Sequence, residues 1–316
     1  MTTLQTTGLG KRYGRSWALR DCTLAVPAGT VTALVGPNGA GKTTLLHLAV
    51  GLLTPSAGQV RVGGRPLTGH GHDLARVAFV AQDKPLFAGF TVAEMLHFGQ
   101  AANPAFDTGG ALARLDDYGI PLRQRIRTLS GGQRTLVALT LALGKRAELL
   151  LLDEPLADLD PLARTEVMGA LMAAVADTGA TVVLSSHILA DLVDTCDYLL
   201  LLNRGRLQVA GGFDELTEAH RVLTGPAELA QRLRAADHPP VHLSVTARQT
   251  TALVRQASAA VRGEPAAVRG QPASHDAGQV PGLEELVLAY LRNPDAVCLP
   301  APTLVAAGQP AGKDVR

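Results

Sequence analysis

The stretch "LVGPNGAGKTTLL", residues 34–46, sets three glycines, a proline and an asparagine between an apolar run and a lysine. Ala33-Leu34-Val35 reads as a buried strand, and Thr44-Leu45-Leu46-His47-Leu48 as the continuation of a helix. From Gly36 to Thr43 the spacing is G-x-x-x-x-G-K-[ST]. Glycines let successive backbone N–H groups turn inward and come close to a phosphate chain. A helix that opens near Gly41 adds free amide donors and the positive end of its dipole. Gly36, Pro37, Asn38, Gly39, Ala40, Gly41, Lys42, Thr43 and Thr44 therefore form a candidate nucleotide cradle. Lys42 is suited to the β- and γ-phosphates, and the Thr43 hydroxyl to Mg²⁺.

Composition narrows the setting. A chain of 316 residues has room for a sizeable core and for two domains at most. A formal net charge of +1, with acidic and basic residues intermixed, carries no footprint for nucleic acid or an anionic membrane. Cys22, Cys196 and Cys298 are widely spaced and in no metal pattern, which points to a reducing compartment. Met1 to Thr7 is polar and lacks the apolar segment of a secretory signal. No run approaches the ~18–20 apolar residues of a spanning helix. The expectation is a soluble protein whose membrane role, if any, comes through a partner.

Along the chain, residues 1–32 alternate short apolar runs with turns, as an antiparallel β region does. "GQVRVGGRPL" reads as a hairpin around Gly63-Gly64, and "VAFVAQ" (77–82) as a short buried strand. Residues 91–118 turn helical, with Pro104 and Gly109-Gly110 as breaks, and a long apolar helix covers 133–143. "ELLLLDEP" has the continuous apolar pattern of a strand inside a parallel sheet. A helix over 161–178, a strand over 181–185, a helix over 188–196 and a strand over 198–202 complete an α/β alternation. Beyond residue 221 one strand ("VHLSVTA"), a helix over 249–261 and a helix over 282–291 are expected. The Gly/Pro/Ala-rich stretch around 262–281 reads as a flexible linker and 294–316 as a disordered tail.

Further motifs follow the glycine loop. "LSGGQ" (129–133) offers a serine, two glycines and a helix N-terminus, a second anion-binding arrangement, although Ser130 equally suits a plain N-cap. "LLLLDEP" puts Asp153 and Glu154 at the carboxyl end of a buried strand, where ligands sit in open α/β sheets. Gln82 ends the "VAFVAQ" strand, and His187 closes "LSSH" after the fourth core strand (181–185); either alone also fits an ordinary strand-end residue. Taken together, over roughly residues 4–220, these elements resemble the nucleotide-binding domain of ABC transporters, and "PLFAGFTVAEML" (85–96) and "LEELVLAYL" (283–291) resemble the ATPases of type-2 drug and antibiotic exporters.

The resemblance implies an α/β P-loop NTPase fold of the ABC type. Its parts are a RecA-like α/β core, an antiparallel β subdomain, a small helical subdomain at about 88–145, and a small C-terminal extension. The ATP-binding domain would cover 1–220 and an accessory region 221–293. The resemblance further implies ATP and Mg²⁺ as ligands, with Thr43, Gln82 and Asp153 on the metal. Glu154 would orient and polarise the attacking water, helped by His187 and Gln82. Tyr13, 23 residues before Gly36, takes the place of an aromatic that stacks on adenine, though a core tyrosine fits too. Ser130, Gly131, Gly132, Gln133 and Asp160 would complete the site of a second cassette in a head-to-tail dimer, homomeric or heteromeric.

A separate integral membrane permease would be the other partner, which puts the chain on the cytoplasmic face of the membrane, with no nucleic acid involved. The segment "DKPLFAGFTVAEML" (83–96) would face that permease, with Leu86, Phe87 and Phe90 exposed. "LEELVLAYL" (283–291) resembles the C-terminal helix of the exporter group, and the tail looks too poor in strands for the β-barrel of importer ATPases. A soluble ABC ATPase acting on ribosomes or nucleic acid is the alternative. It is disfavoured by the single cassette, the near-zero charge and the 46 residues between Gln82 and Leu129. One departure from the family pattern is Asp158, where a small residue is usual.

Overall fold

The computed structural model describes residues 2–67, 71–157, 159–189, 192–235, 239–256 and 278–300. Two long strands, β1 (Thr2–Tyr13) and β2 (Ser16–Pro27), open the chain as an antiparallel pair. With β4 (Ala57–Val62) and β5 (Arg65–Pro66) they form the sheet β2-β1-β4-β5, and Gly63 and Gly64 make the β4–β5 turn at positive φ. The central strands are β3 (Val31–Val35), β6 (Val77–Val80), β7 (Leu149–Leu152), β8 (Thr181–Ser186), β9 (Tyr198–Asn203) and β10 (Arg206–Gly212). They lie in the order β10-β9-β3-β8-β7-β6; all run parallel except β10. Every residue of β3 and β7 is buried, and the two faces feed two apolar clusters: Leu150 and Leu152 enter one, Leu149 and Leu151 the other. Burial on both faces explains why β7 reads as unbroken leucine.

Helix α1 (Lys42–Ala49) follows β3, and the one-turn α2 (Gly71–Leu74) precedes β6. Between β6 and β7 stand α3 (Val92–Ala102), α4 (Thr108–Asp117) and α5 (Gly131–Gly144). Thr91 and Glu94 close a capping box at the start of α3. Pro104 separates α3 from α4 as expected, but Gly109 and Gly110 lie inside α4. They fall in its first turn, where the Asp107 carboxylate accepts the Gly110 N–H at 2.9 Å and offsets their poor propensity. Helix α6 (Pro161–Thr178) matches the expected bounds. The helix expected over 188–196 is a series of turns among its described residues, held by Leu192 N–H to Leu189 O and Cys196 N–H to Leu192 O. Among the described residues no helix is long and apolar enough to cross a membrane. All three cysteines are free and buried.

Past β10 come α7 (Phe213–Glu218), β11 (His220–Gly225), α8 (Leu229–Arg234), β12 (His242–Val245), β13 (Thr250–Arg255) and α9 (Leu283–Arg292). This corrects two expectations. Residues 250–255 of the expected 249–261 helix are the central strand of a β11-β13-β12 antiparallel sheet. The apolar spacing there suits a helix, but Thr-Thr-Ala-Leu-Val is rich in β-branched residues, and ladders on both sides decide the outcome. The tail is thus not strand-poor. Residues 257–261 of that helix, most of the expected linker and residues 301–316 lie outside the described residues. The described end of the linker pairs Gln279 with Val222, and Cys298 of the expected tail bonds Gln208 O and Ala210 N–H on β10.

Helix α9 docks through buried polar contacts. The Gln208 amide nitrogen lies 2.7–2.8 Å from the carbonyl oxygens of Tyr290, Asn293 and Ala296, so its two N–H groups are shared among three acceptors at and just past the end of α9. His220, fully buried on β11, donates from Nδ1 to Leu216 O at 2.6 Å; its Nε2 therefore accepts the Tyr290 hydroxyl at 2.8 Å. Burial lowers the His220 pKa below its ordinary value, with the nearby Arg255 acting in the same direction. The unfolded chain therefore binds a proton first as pH falls, so the stability held by neutral His220 is complete above about pH 6.5 and is lost below it. Denaturant unfolding from pH 8 to 5 should show the wild type losing more stability below pH 6.5 than His220→Asn. His242, shifted the same way by burial and Arg292, is common to both proteins. Identical profiles would remove His220 from the account.

Candidate functional site

The parallel strands β3, β6, β7 and β8 end at one edge, and the expected catalytic and loop residues gather there. After β3 the chain turns at Gly36, where a Cβ would strike the Leu202 carbonyl oxygen. Gly39 and Gly41 both take positive φ, and a Cβ on Gly41 would stand 2.7 Å from Ala18 O. Only glycine fits these turns without strain. Gly41 is also the N-cap of α1 and has no side chain to cap it, so the first-turn amides stay available to an anion. A cavity of about 390 Å³ opens over this turn, lined by Pro37 to Thr44 together with Gln82, Glu154 and His187. Ala18 of β2 closes its rim, a contribution that no sequence motif announced.

Lys42 and Glu154 are both nearly buried, at 7% and 9% side-chain exposure, and their charged atoms meet at 3.2 Å. Lys42 also donates to Gly36 O at 2.8 Å. The other Glu154 oxygen lies 2.7 Å from Nδ1 of the half-exposed His187. Glu154 takes a left-handed backbone, φ 47°, that costs a non-glycine residue on the order of 1–3 kcal/mol and persists only where its surroundings fix it. Its N–H donates to Ser185 Oγ at 2.8 Å, and Ser185 Oγ in turn donates to Asp153 Oδ1 at 2.7 Å. The expected residues omit Ser185. Its signal is a serine continuing the apolar run of β8, one residue beyond Leu184.

Thr43 is exposed at the start of α1, Gln82 is exposed after β6, and Asp153 is buried with a single side-chain partner among the contacts above. This is a set of hard oxygen donors, with one carboxylate, a hydroxyl and an amide carbonyl. It fits Mg²⁺ held jointly with phosphate better than a protein-only cage. No cluster of three or more His, Cys, Asp or Glu side chains that could hold a metal ion occurs among the described residues.

Other expected site residues stand apart from this cavity. Ser130 caps α5 in a capping box with Gln133, so the plain N-cap reading of Ser130 holds within the chain, and its signature loop does not line the cavity. Gly132 is close-packed, with Ala163 3.1 Å from where a Cβ would stand. Asp160 caps α6, accepting the Ala163 N–H at 2.9 Å. Tyr13 is 52% exposed at the end of β1 with Lys11 over its ring, and it does not line the cavity either. Asp158 lies outside the described residues.

A second concavity, of about 570 Å³, lies between the core and the helical arm, with His47, Phe79, Leu86, Met95, Phe98 and Leu141 in its wall. Phe87 packs against Phe90 and Phe98 with centroids 5.0 and 5.3 Å apart, and all three rings are exposed. Leu86, expected to be exposed with them, is partly buried against the main core.

The ABC transporter family model matches residues 19–157. The molybdenum import ATP-binding protein ModC of Mycobacterium tuberculosis (strain CDC 1551 / Oshkosh) is 39% identical over 217 residues, 64% of this chain and 58% of its own length. The lipoprotein-releasing system ATP-binding protein LolD of Cereibacter sphaeroides is 39% identical over 218 residues, 63% of this chain and 96% of its own. A solved ATP binding subunit of an ABC transporter superposes with a TM-score of 0.62 at 28% identity, covering 69% of this chain and 92% of that one. The chain thus matches little more than half the length of ModC.

The pairing of Lys42 with Glu154 yields a stability test. Breaking a buried ion pair from one side strands a charge, so Lys42→Ala should cost on the order of 3 kcal/mol in nucleotide-free urea unfolding. Adding Glu154→Gln should restore part of that loss. Strict additivity of the two changes would show that the pair is not coupled.

Proposed function

Since this chain belongs to the ABC transporter ATP-binding proteins, we propose that it binds and hydrolyses ATP and thereby drives transport through a separate membrane subunit. The observation that carries the reading is the convergence of the Gly36–Thr44 turn, Gln82, Glu154 and His187 on one cavity. The free amides of the turn and of α1 bind phosphate oxygens, and Lys42 supplies the positive charge. Thr43, Gln82 and Asp153 would hold Mg²⁺, which would supply positive charge to offset that of the phosphates. Glu154 orients and polarises the attacking water, and His187 holds the Glu154 carboxylate by its Nδ1 contact. Tyr13 offers an exposed face to adenine. Ser130, Gly131, Gly132, Gln133 and Asp160 serve the nucleotide of a facing cassette, in keeping with their distance from this cavity.

The apolar groove with Phe87, Phe90 and Phe98 is the proposed seat of the membrane subunit, which would hold the chain at the cytoplasmic face of the membrane. Export is the direction we favour, from the resemblance of 283–291 to the C-terminal helix of exporter ATPases. Import is a second reading: it has in its favour the ModC likeness and the three-stranded accessory sheet, which removes one argument against it.

The test uses Glu154→Gln, which should bind ATP while losing ~100-fold or more of the hydrolysis rate. Tagged, expressed in its host and extracted in detergent with ATP, this variant should carry a polytopic membrane protein, and the added Lys42→Ala change should release it. Everted vesicles carrying that pair then give the direction by ATP-dependent uptake. Recovery of ribosomes or nucleic acid with an empty membrane fraction would overturn the transport reading.

A further inference from the structure

We propose that Ser185 is a positioning residue that sets both acidic groups of the site through a single hydroxyl; the inference rests on the ATPase reading above. Strand β8 lies between β3 and β7, with Ser185 in register with Leu34 and with no exposed surface. A hydroxyl so placed carries a desolvation cost unless its bonds are met. It has one proton to give and lone pairs to receive. Here the proton goes to Asp153 Oδ1 at 2.7 Å, and a lone pair takes the Glu154 N–H at 2.8 Å.

These two bonds do different work. The bond to Asp153 occupies one carboxylate oxygen and fixes the carboxylate rotamer, leaving the second oxygen as the one that would serve Mg²⁺. The bond from Glu154 N–H acts on the backbone. The Asp153 N–H is still in the sheet ladder, donating to Val80 O at 2.9 Å, but at Glu154 the chain leaves the ladder with a left-handed φ. The Ser185 oxygen receives the one amide that this departure releases. It therefore holds the peptide in the turn that brings the Glu154 side chain to Lys42 and His187. A strand that needed only to be buried would carry a fourth apolar residue after Val182, Val183 and Leu184.

Hydroxyl geometry, rather than volume, is what the proposal requires. Ser185→Ala keeps the packing and loses both bonds; Ser185→Thr keeps the oxygen; Ser185→Cys keeps the approximate size with a longer, weaker donor. With wild type beside them, each variant is assayed for ATPase activity, for thermal midpoint, and for binding of a fluorescent ATP analogue with and without Mg²⁺. Ser185→Ala should lower kcat by ~10-fold or more with KM for ATP nearly unchanged, and raise the Mg²⁺ concentration at half-effect in both assays by ~10-fold, as loss of a metal-ligand support does. Mg²⁺-free nucleotide binding should stay at the wild-type value, and Ser185→Thr should recover most of the activity.

A Ser185→Ala protein with a lower thermal midpoint but wild-type kcat and Mg²⁺ dependence would overturn the proposal and leave the ATPase reading intact. A wild type that neither binds nor hydrolyses ATP would overturn both. If Ser185→Ala does not fold, Ser185→Cys decides in its place by the same readouts.

Discussion

The site depends on the parallel direction of β3, β6, β7 and β8. Parallel pairing makes their carboxyl ends coincide, so the turn after each strand opens on the same edge. The turns supply different chemistry: backbone amides and Lys42 after β3, Gln82 after β6, the acidic pair after β7, His187 after β8. One face of the sheet packs against helices that include α5 and α6, and the other against α1 and the antiparallel strands β1, β2 and β4, so both are buried. The two apolar clusters that result hold the strand ends to the register the site requires.

Burial of charge is the second constraint. Lys42, Asp153 and Glu154 are all withdrawn from water, and each is met by a specific partner: Gly36 O and Glu154 for the lysine, Ser185 for Asp153, Lys42 and His187 for Glu154. Partial satisfaction would make such a network a liability, because an unpaired group in low dielectric is costly. The same pairing leaves Glu154 shared between Lys42 and His187. A phosphate chain that engages Lys42 would leave Glu154 to His187 and to water. The resting contacts and the proposed chemistry thus draw on the same side chains.

Much of this was legible in the sequence because the constraints are local. The glycines at 36, 39 and 41 record turns that a Cβ would strain or obstruct, and the four leucines of β7 record burial on both faces. The bounds of α6 follow from Asp160, Pro161 and Gly179. Long-range decisions were not legible. Residues 250–255 carry a helix-compatible spacing, and only the neighbouring β11 and β12 make them a strand. Cys298 looked like part of a loose tail because its partners, Gln208 and Ala210, lie about ninety residues earlier. Ser185 carries little signal, because a serine at the end of an apolar strand is unremarkable until its two bonds are seen. Leu86 and Phe87 look alike in the sequence, and only packing against the main core separates the partly buried leucine from the exposed ring.

The claim at the centre is that this sheet edge is a phosphate site whose positive charge is Lys42. Calorimetric titration of the purified chain with Mg²⁺-ATP, set beside the same titration of Lys42→Ala at a temperature where both are folded, tests it most directly. The account predicts saturable binding to the wild type and loss of that binding in the variant. Equal affinity in the two proteins, or no binding to the wild type, would contradict it.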